Sequence, residues 1–219
     1  MNQYSPLRVW RVFTLLLTLY LLIKKREKFL FLKPLTPNKL LAVINELGAS
    51  FVKLAQVLAT RSDFFTPEYL EALKTLHDEL YPMSDSEMHV VYERAFKDKP
   101  FFKFVEKPIA SASIGQVHEA WLDENTKVAV KLRRLGIEKK VRADIKIISM
   151  FNALFKPLFS HYTKNSIEAV IGEFSKMILQ EVSLTHELSN LVKFASVYKD
   201  SGVRFPTPYA LYCSDDALV

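Results

Sequence analysis

Apolar residues fall into three textures along this chain. Residues 12–23 read VFTLLLTLYLLI, apolar almost without a break. Arg8 and Arg11 precede this run, and Lys24, Lys25, Arg26 and Lys28 come after it. At about a dozen residues it falls short of the roughly 18 that span a hydrocarbon core, so it predicts an interfacial or monotopic helix. Trp10, Tyr20 and the basic flanks suit the level of lipid headgroups. A helix docked into a protein core is the alternative. Where a signal peptide needs a small-residue cleavage site, the chain has Lys24-Lys25-Arg26-Glu27-Lys28, so the segment does not read as a removed leader.

The second texture is helical. Pro34 and Pro37 punctuate a linker, because proline lacks a backbone donor and disfavours helix in the residue before it. Leu40, Leu41, Ile44, Leu47, Phe51, Leu54, Val57 and Leu58 then recur at helical spacing. A second helix is predicted over 67–80, opening on Thr66-Pro67. A break at Pro82-Met83-Ser84-Asp85 leads to a helix over 85–96 and a polar turn over 97–100.

The third texture alternates. Residues 101–104, 116–122 and 127–132 read as short strands, with Asp123-Glu124-Asn125 turning between the last two, which predicts a small antiparallel sheet. After Gly136 the pattern returns to helix over 137–155 and over 166–198, and residues 209–219 suggest a closing strand pair. The expected class is α+β, divided into a membrane-proximal segment (1–34), a helical extension (35–98) and a sheet-bearing lobe (99–219).

Composition narrows the chemistry. An apolar fraction of 49% in 219 residues supports a buried core. One cysteine and five glycines exclude a disulfide framework and any multi-cysteine metal site. The five histidines include no HExxH and no pair at ligand spacing, so no metal site is assigned. The net charge of +6 sits beside the hydrophobic run and is interleaved with acids elsewhere. That is not the basic stripe of a nucleic-acid binder, so no nucleic-acid partner is expected.

The stretch richest in chemistry is Ala110-Ser111-Ala112-Ser113-Ile114-Gly115-Gln116-Val117, succeeded by Val128-Ala129-Val130-Lys131. Small residues stand where a kinase nucleotide loop has glycines, and the later lysine stands where VAIK supplies a phosphate contact. A loop over phosphates must bring backbone amides close to anionic oxygens, and a lysine on the neighbouring strand adds a point charge. Such a lysine also needs a carboxylate partner, for which the last predicted long helix offers Glu173, Glu181 and Glu187. Periodicity does not choose among them. On one continuous helix Glu181 and Glu187 would lie roughly 120° apart and could not share a contact.

These motifs, taken in order, resemble the UbiB/AarF family of atypical kinase-like proteins. Lys53-Leu54-Ala55-Gln56 is similar to that family's KxGQ signature, with Ala55 in place of glycine. Residues 109–118 resemble its alanine-rich loop and residues 128–131 its nucleotide lysine. Leu135-Gly136-Ile137 and Arg142-Ala143-Asp144 resemble the family's segment just downstream of that lysine. Glu181-Val182-Ser183 resembles its ExD element, with Ser183 in place of aspartate.

The resemblance implies a protein-kinase-like N-lobe, a small antiparallel sheet with an αC-type helix, carrying an N-terminal helical extension and an inserted helix. It implies ATP and Mg²⁺ as cofactors, with Lys131, Glu187 and the loop residues Ala110, Ser111, Ala112, Ser113 and Gly115 at the nucleotide. Lys53 and Gln56 would cover the site with Glu181 as partner of Lys53. It also implies ATPase or unorthodox kinase activity supporting ubiquinone biosynthesis, at the cytoplasmic face of a bacterial inner membrane, with quinone-biosynthesis proteins or lipid as partners. The catalytic-loop aspartate and asparagine and the DFG-like aspartate of a kinase lie beyond its small lobe, and Asp63-Phe64-Phe65 is no substitute for them. No catalytic residue or C-lobe is therefore assigned within these 219 residues, and the chain alone is expected to show little or no turnover. A noncatalytic membrane-associated scaffold, with Lys131 structural, is the competing class.

Overall fold

A computed structural model describes residues 5–76, 81–98 and 101–219. The described helices are α1 (Pro6–Ile23), α2 (Pro37–Leu47), α3 (Ala49–Leu58), α4 (Pro67–Lys74), α5 (Asp85–Phe96), α6 (Ile137–Phe155), α7 (His161–Glu181) and α8 (Leu184–Val197). The strands are β1 (Lys103–Phe104), β2 (Ala110–Ser111), β3 (Gly115–Trp121), β4 (Lys127–Arg133) and β5 (Ala217–Leu218). Two compact units result, one drawn from residues 1–78 and 139–178, the other from 79–138 and 179–219. Packing therefore groups residues differently from the composition changes near 34 and 98: the inserted helices belong with the N-terminal helices.

In the helical unit α1 begins six residues before the apolar run, with Pro6 in its first turn and the Ser5 hydroxyl accepting from the Arg8 amide. At 18 residues it is long and apolar enough to cross a membrane by length and composition, unlike the dozen-residue run read from the sequence. Yet 44% of it is buried within the unit. Val12, Leu15, Leu17, Leu19, Tyr20 and Leu21 are all buried, on more than one face of the helix, as expected of a core helix. Arg8 is buried with them. Its guanidinium donates to Asp144 Oδ1 at 2.6 Å and to the Leu47 carbonyl at 3.0 Å.

The predicted run over 40–58 is broken at Gly48, whose φ of +90° only glycine adopts without strain; it closes α2 and opens α3. The helix from Pro67 ends at Lys74, and residues 77–80 of its expected length lie outside the described residues. Residues 99–100 of the expected polar turn do so too. The predicted helix over 166–198 starts earlier, at His161, and is two helices. It breaks at Val182-Ser183, where the Ser183 hydroxyl accepts from the His186 amide and caps α8.

In the other unit β3 pairs antiparallel with β4 through seven residue pairs, from Gly115 opposite Arg133 to Trp121 opposite Lys127. Both β1 and β2 pair with the far edge of β3, and β5 pairs with β4. The sequence pattern places the residues of β2 in the small-residue loop, and the structure makes them a short strand. Residues 210–212, expected to be extended, form a 3-10 turn, so only β5 of the closing strand pair exists. One sheet face is apolar: Ala120, Val128, Val130, Leu132 and Ala217 pack against Met88, Val91 and Phe96 of α5. α5 matches its predicted span because Ser84 and Glu87 form a reciprocal capping box.

That buried face carries one polar chain. The Gln116 Oε1 accepts from the Met83 amide at 2.7 Å, its Nε2 lies 2.8 Å from His118 Nε2, and His118 Nδ1 lies 2.9 Å from the Val105 carbonyl. The network assigns a neutral imidazole that donates from Nδ1 and accepts at Nε2. Burial holds its pKa below the ordinary 6.5.

Arg8→Ala should destabilise the helical unit by about 3–5 kcal/mol, because Asp144 is left buried and unpaired, whereas Arg8→Met with Asp144→Leu should recover much of the loss in urea unfolding. For His118 the unfolded chain takes up the proton first, so stability is fully present above about pH 6.5 and falls as the pH drops toward the depressed folded value. Unfolding curves at pH 7.5 and 5.0 should show that slope in the native protein and lose it in His118→Leu.

Candidate nucleotide-phosphate site

The face of the sheet opposite the apolar core is polar because strand residues alternate. With Val128, Val130 and Leu132 turned inward, Lys127, Ala129, Lys131 and Arg133 take the other side. Lys131 sits between Val117 of β3 and Leu218 of β5. Its Nζ donates to Glu187 Oε2 at 2.6 Å, the carboxylate coming from the first turn of α8. Of the three carboxylates the sequence leaves open, Glu187 makes this contact. Glu181 ends α7, so the two glutamates lie on separate helices and the 120° argument does not apply.

The pair is partly open to solvent, with side-chain exposures of 29% for Lys131 and 42% for Glu187. An exposed pair of this kind adds at most about 1 kcal/mol to stability. Its effect is to hold an ammonium in one place at the sheet surface.

The small-residue segment folds into a tight hairpin. Ala110 and Ser111 pair with Val117 and Gln116, and the Ala112 amide donates to the Gly115 carbonyl at 2.8 Å. Ala110 and Ala112 are exposed, Ser111 is half-buried, and Ser113 is buried. Arg134 braces the hairpin by donating to the Ala112 carbonyl at 2.9 Å, the Ser111 hydroxyl at 2.9 Å and the Tyr81 carbonyl at 2.8 Å. Gly115 has a reason of its own: a Cβ there would lie 2.5 Å from the Leu132 carbonyl oxygen. The motif's glycine thus lets β3 and β4 approach.

Sequence reasoning misses two braces. Arg134 is one. The other is Asp216, which accepts from Arg94 at 2.8 Å and from Arg133 at 2.9 Å, while Arg133 also donates to the Val182 carbonyl at 3.1 Å beside the start of α8. Asp216 thereby ties α5, β4 and the entry to α8. No spacing rule links residues 94, 133, 182 and 216, so no sequence signal could have found them.

Lys53 and Gln56 lie on α3 in the helical unit, where the Gln56 amide reaches the Leu76 carbonyl at 3.4 Å. Lys131, Glu187, Glu181 and residues 110–115 belong to the other unit. Ala55 is buried inside α3, in a backbone conformation that needs no glycine. Asp63 pairs with Arg61, which also donates to Ser166 at 2.6 Å, so the Asp63-Phe64-Phe65 segment serves packing of the helical unit. Arg61 holds the Asp63 carboxyl below its ordinary pKa. Among the described residues no group of three or more His, Cys, Asp or Glu side chains could hold a metal.

An antiparallel sheet with one buried face, a small-residue hairpin, and a strand lysine joined to a helix glutamate define a kinase-like small lobe. Residues 75–219 match the ABC1 atypical kinase-like domain, and the chain belongs to that family. Across 98% of its length it is 31% identical to a probable protein kinase UbiB of Klebsiella pneumoniae and 30% identical to the one of Enterobacter sp.. Over 83% of its length it is 30% identical to a probable protein kinase UbiB of Actinobacillus pleuropneumoniae. It spans 38% of the length of the first two proteins and 35% of the third. Among solved structures, Mycobacterium tuberculosis Rv3197, determined in complex with erythromycin, is similar with a TM-score of 0.54 and 28% identity, over 83% of this chain and 46% of that one.

Gly115→Ala should lower the stability of the sheet-bearing unit by about 1–3 kcal/mol in urea unfolding, since strand backbone must shift to admit the methyl group. An unchanged midpoint would mean that the ladder opens there without cost.

Proposed function

We propose that this chain supplies the lysine side of an ATP site in a UbiB-like atypical kinase or ATPase that supports ubiquinone biosynthesis at a membrane. The observation that carries the reading is the 2.6 Å Lys131–Glu187 pair on the open sheet face of the unit that also holds the 110–115 hairpin. The donor set suits a nucleotide: an oriented ammonium for phosphate oxygens, and small side chains that let backbone amides approach an anion. In this reading ATP brings the transferable phosphoryl group. Lys131 neutralises phosphate charge, Glu187 fixes where the ammonium points, and Ala110, Ser111, Ala112, Ser113 and Gly115 form the cover.

No step is assigned to Mg²⁺ from these residues, because the described carboxylates form no cluster for it. In this reading the residues of the chain bind and orient the nucleotide, and no catalytic step is assigned to them. Membrane attachment at the cytoplasmic face of a bacterial inner membrane, beside quinone-biosynthesis proteins or lipid, is part of the same proposal. It draws on the basic residues that follow α1 and the exposed apolar residues among them.

Thermal unfolding with and without MgATP tests the reading. Saturating nucleotide should raise the midpoint by roughly 5 °C. Lys131→Ala should abolish the shift while leaving the apo midpoint within about 1 kcal/mol of native stability, as expected for a partly exposed pair. No shift in the native chain, or an equal shift in Lys131→Ala, would overturn the assignment.

A further inference from the structure

Among the described residues of the helical unit, apolar side chains are exposed near each end of α1. The first patch contains Leu7, Val9 and Trp10. The arginines beside it are both engaged: Arg8 with Asp144 and the Leu47 carbonyl, Arg11 with Glu46 at 2.9 Å. Of the basic residues that the sequence places ahead of the apolar run, Arg8 is thus buried and Arg11 already has a carboxylate partner.

The second patch differs in each of these respects. Beyond Ile23 the chain turns at Lys25, at a φ of +52°, and enters a two-residue hairpin. Phe29 and Leu32 exchange both backbone hydrogen bonds, at 2.9 and 3.0 Å. Leu30 sits at its tip with a φ of +55°, a conformation that a bulky side chain adopts only at a steric cost. The base of the hairpin is anchored, since the Phe29 ring meets Tyr20 of α1 edge-on at 6.4 Å. The tip projects instead: Leu30 is 73% exposed and Phe31 86%. Around it Lys25, Arg26, Lys28 and Lys33 are exposed, with Glu27 the one acid in residues 24–33. Among the described residues no carboxylate pairs with these four cations.

We propose that Leu30 and Phe31 are a membrane-inserting tip, seated in the acyl boundary of an anionic bilayer while Lys25, Arg26, Lys28 and Lys33 contact its headgroups. This rests on the membrane-associated reading of the chain and specifies which residues carry it. A projecting tip of two side chains is too small for a stable protein partner, which needs about 800 Å² from each side. Two apolar side chains ringed by cations match the layering of a lipid surface, where anionic headgroups overlie hydrocarbon. The strained Leu30 backbone is consistent with a tip selected for what it presents, since packing within the chain does not use its side chain.

Sedimentation of the full chain with vesicles of phosphatidylcholine alone, or mixed with phosphatidylglycerol, tests the proposal. The native chain should bind only the mixed vesicles, and less as salt rises. Leu30→Asn combined with Phe31→Ser should weaken binding by about tenfold or more. Leu30→Asn alone should also weaken it while keeping or raising the thermal midpoint, because asparagine accepts the left-handed conformation more readily, and a purely structural role for Leu30 would not separate the two readouts. Lys25→Gln with Lys28→Gln should weaken binding and flatten its salt dependence. Trp10→Ser should leave binding unchanged. If the native chain ignores anionic vesicles, membrane association fails and the tip with it. If the native chain binds and the tip variants bind equally, or if Trp10→Ser removes binding, membrane association stands and the tip is overturned.

Discussion

An ammonium on the open face of a sheet points in one direction only if a carboxylate from another element holds it there, and much of the sheet-bearing unit is arranged around that requirement. Lys131 is turned to the open face by strand alternation, since Val130 and Leu132 must fill the core. Glu187 must come from a helix that begins at the right place. The chain achieves this by breaking a predicted long helix at Ser183, whose hydroxyl caps α8 and puts Glu187 in its first turn. Ser183 stands where the resembled family has aspartate, and serine is itself among the residue types that cap helix N-termini.

Because the Lys131–Glu187 pair is partly exposed, it does little to hold the fold together. The fold is held by its surroundings. Gly115 allows the β3–β4 ladder to close, and Arg134 braces the small-residue hairpin. Asp216 binds two arginines, one of which grips the Val182 carbonyl at the entrance to α8. On the opposite face His118 is buried in a neutral hydrogen-bond chain under α5 and is a packing residue of the core. Stability and site chemistry are thus assigned to opposite faces of one sheet.

The helical unit separates roles along α1. Its middle is core, although its composition would also suit a membrane. Its N-terminal arginines are engaged inside the unit by Asp144, the Leu47 carbonyl and Glu46, whereas the cations after its C-terminus surround an exposed apolar tip. A count of charges flanking an apolar run treats these two clusters alike, but Arg8 is buried and Arg11 paired, whereas Lys25, Arg26, Lys28 and Lys33 are exposed with no carboxylate partner among the described residues.

Local patterns were legible where neighbours in sequence are also partners in space. The α5 capping box, the turn at Asp123 and the alternation of β3 and β4 all lie within a few residues, as do the small-residue loop and the strand lysine that mark an atypical kinase-like lobe. By itself, then, the sequence determined the α+β class, the sheet, the place of Lys131 at the end of its Val-Ala-Val-Lys strand motif, and the family. Tertiary structure decided what depends on distant partners. It chose Glu187 as the carboxylate for Lys131, divided two apparent helices at Gly48 and Ser183, and made α1 a core helix through Arg8 and Asp144, 136 residues apart. Periodicity reports which face of an element is apolar, whereas a contact between elements depends on where each one starts, stops and turns, and that is set by the packing of the whole unit.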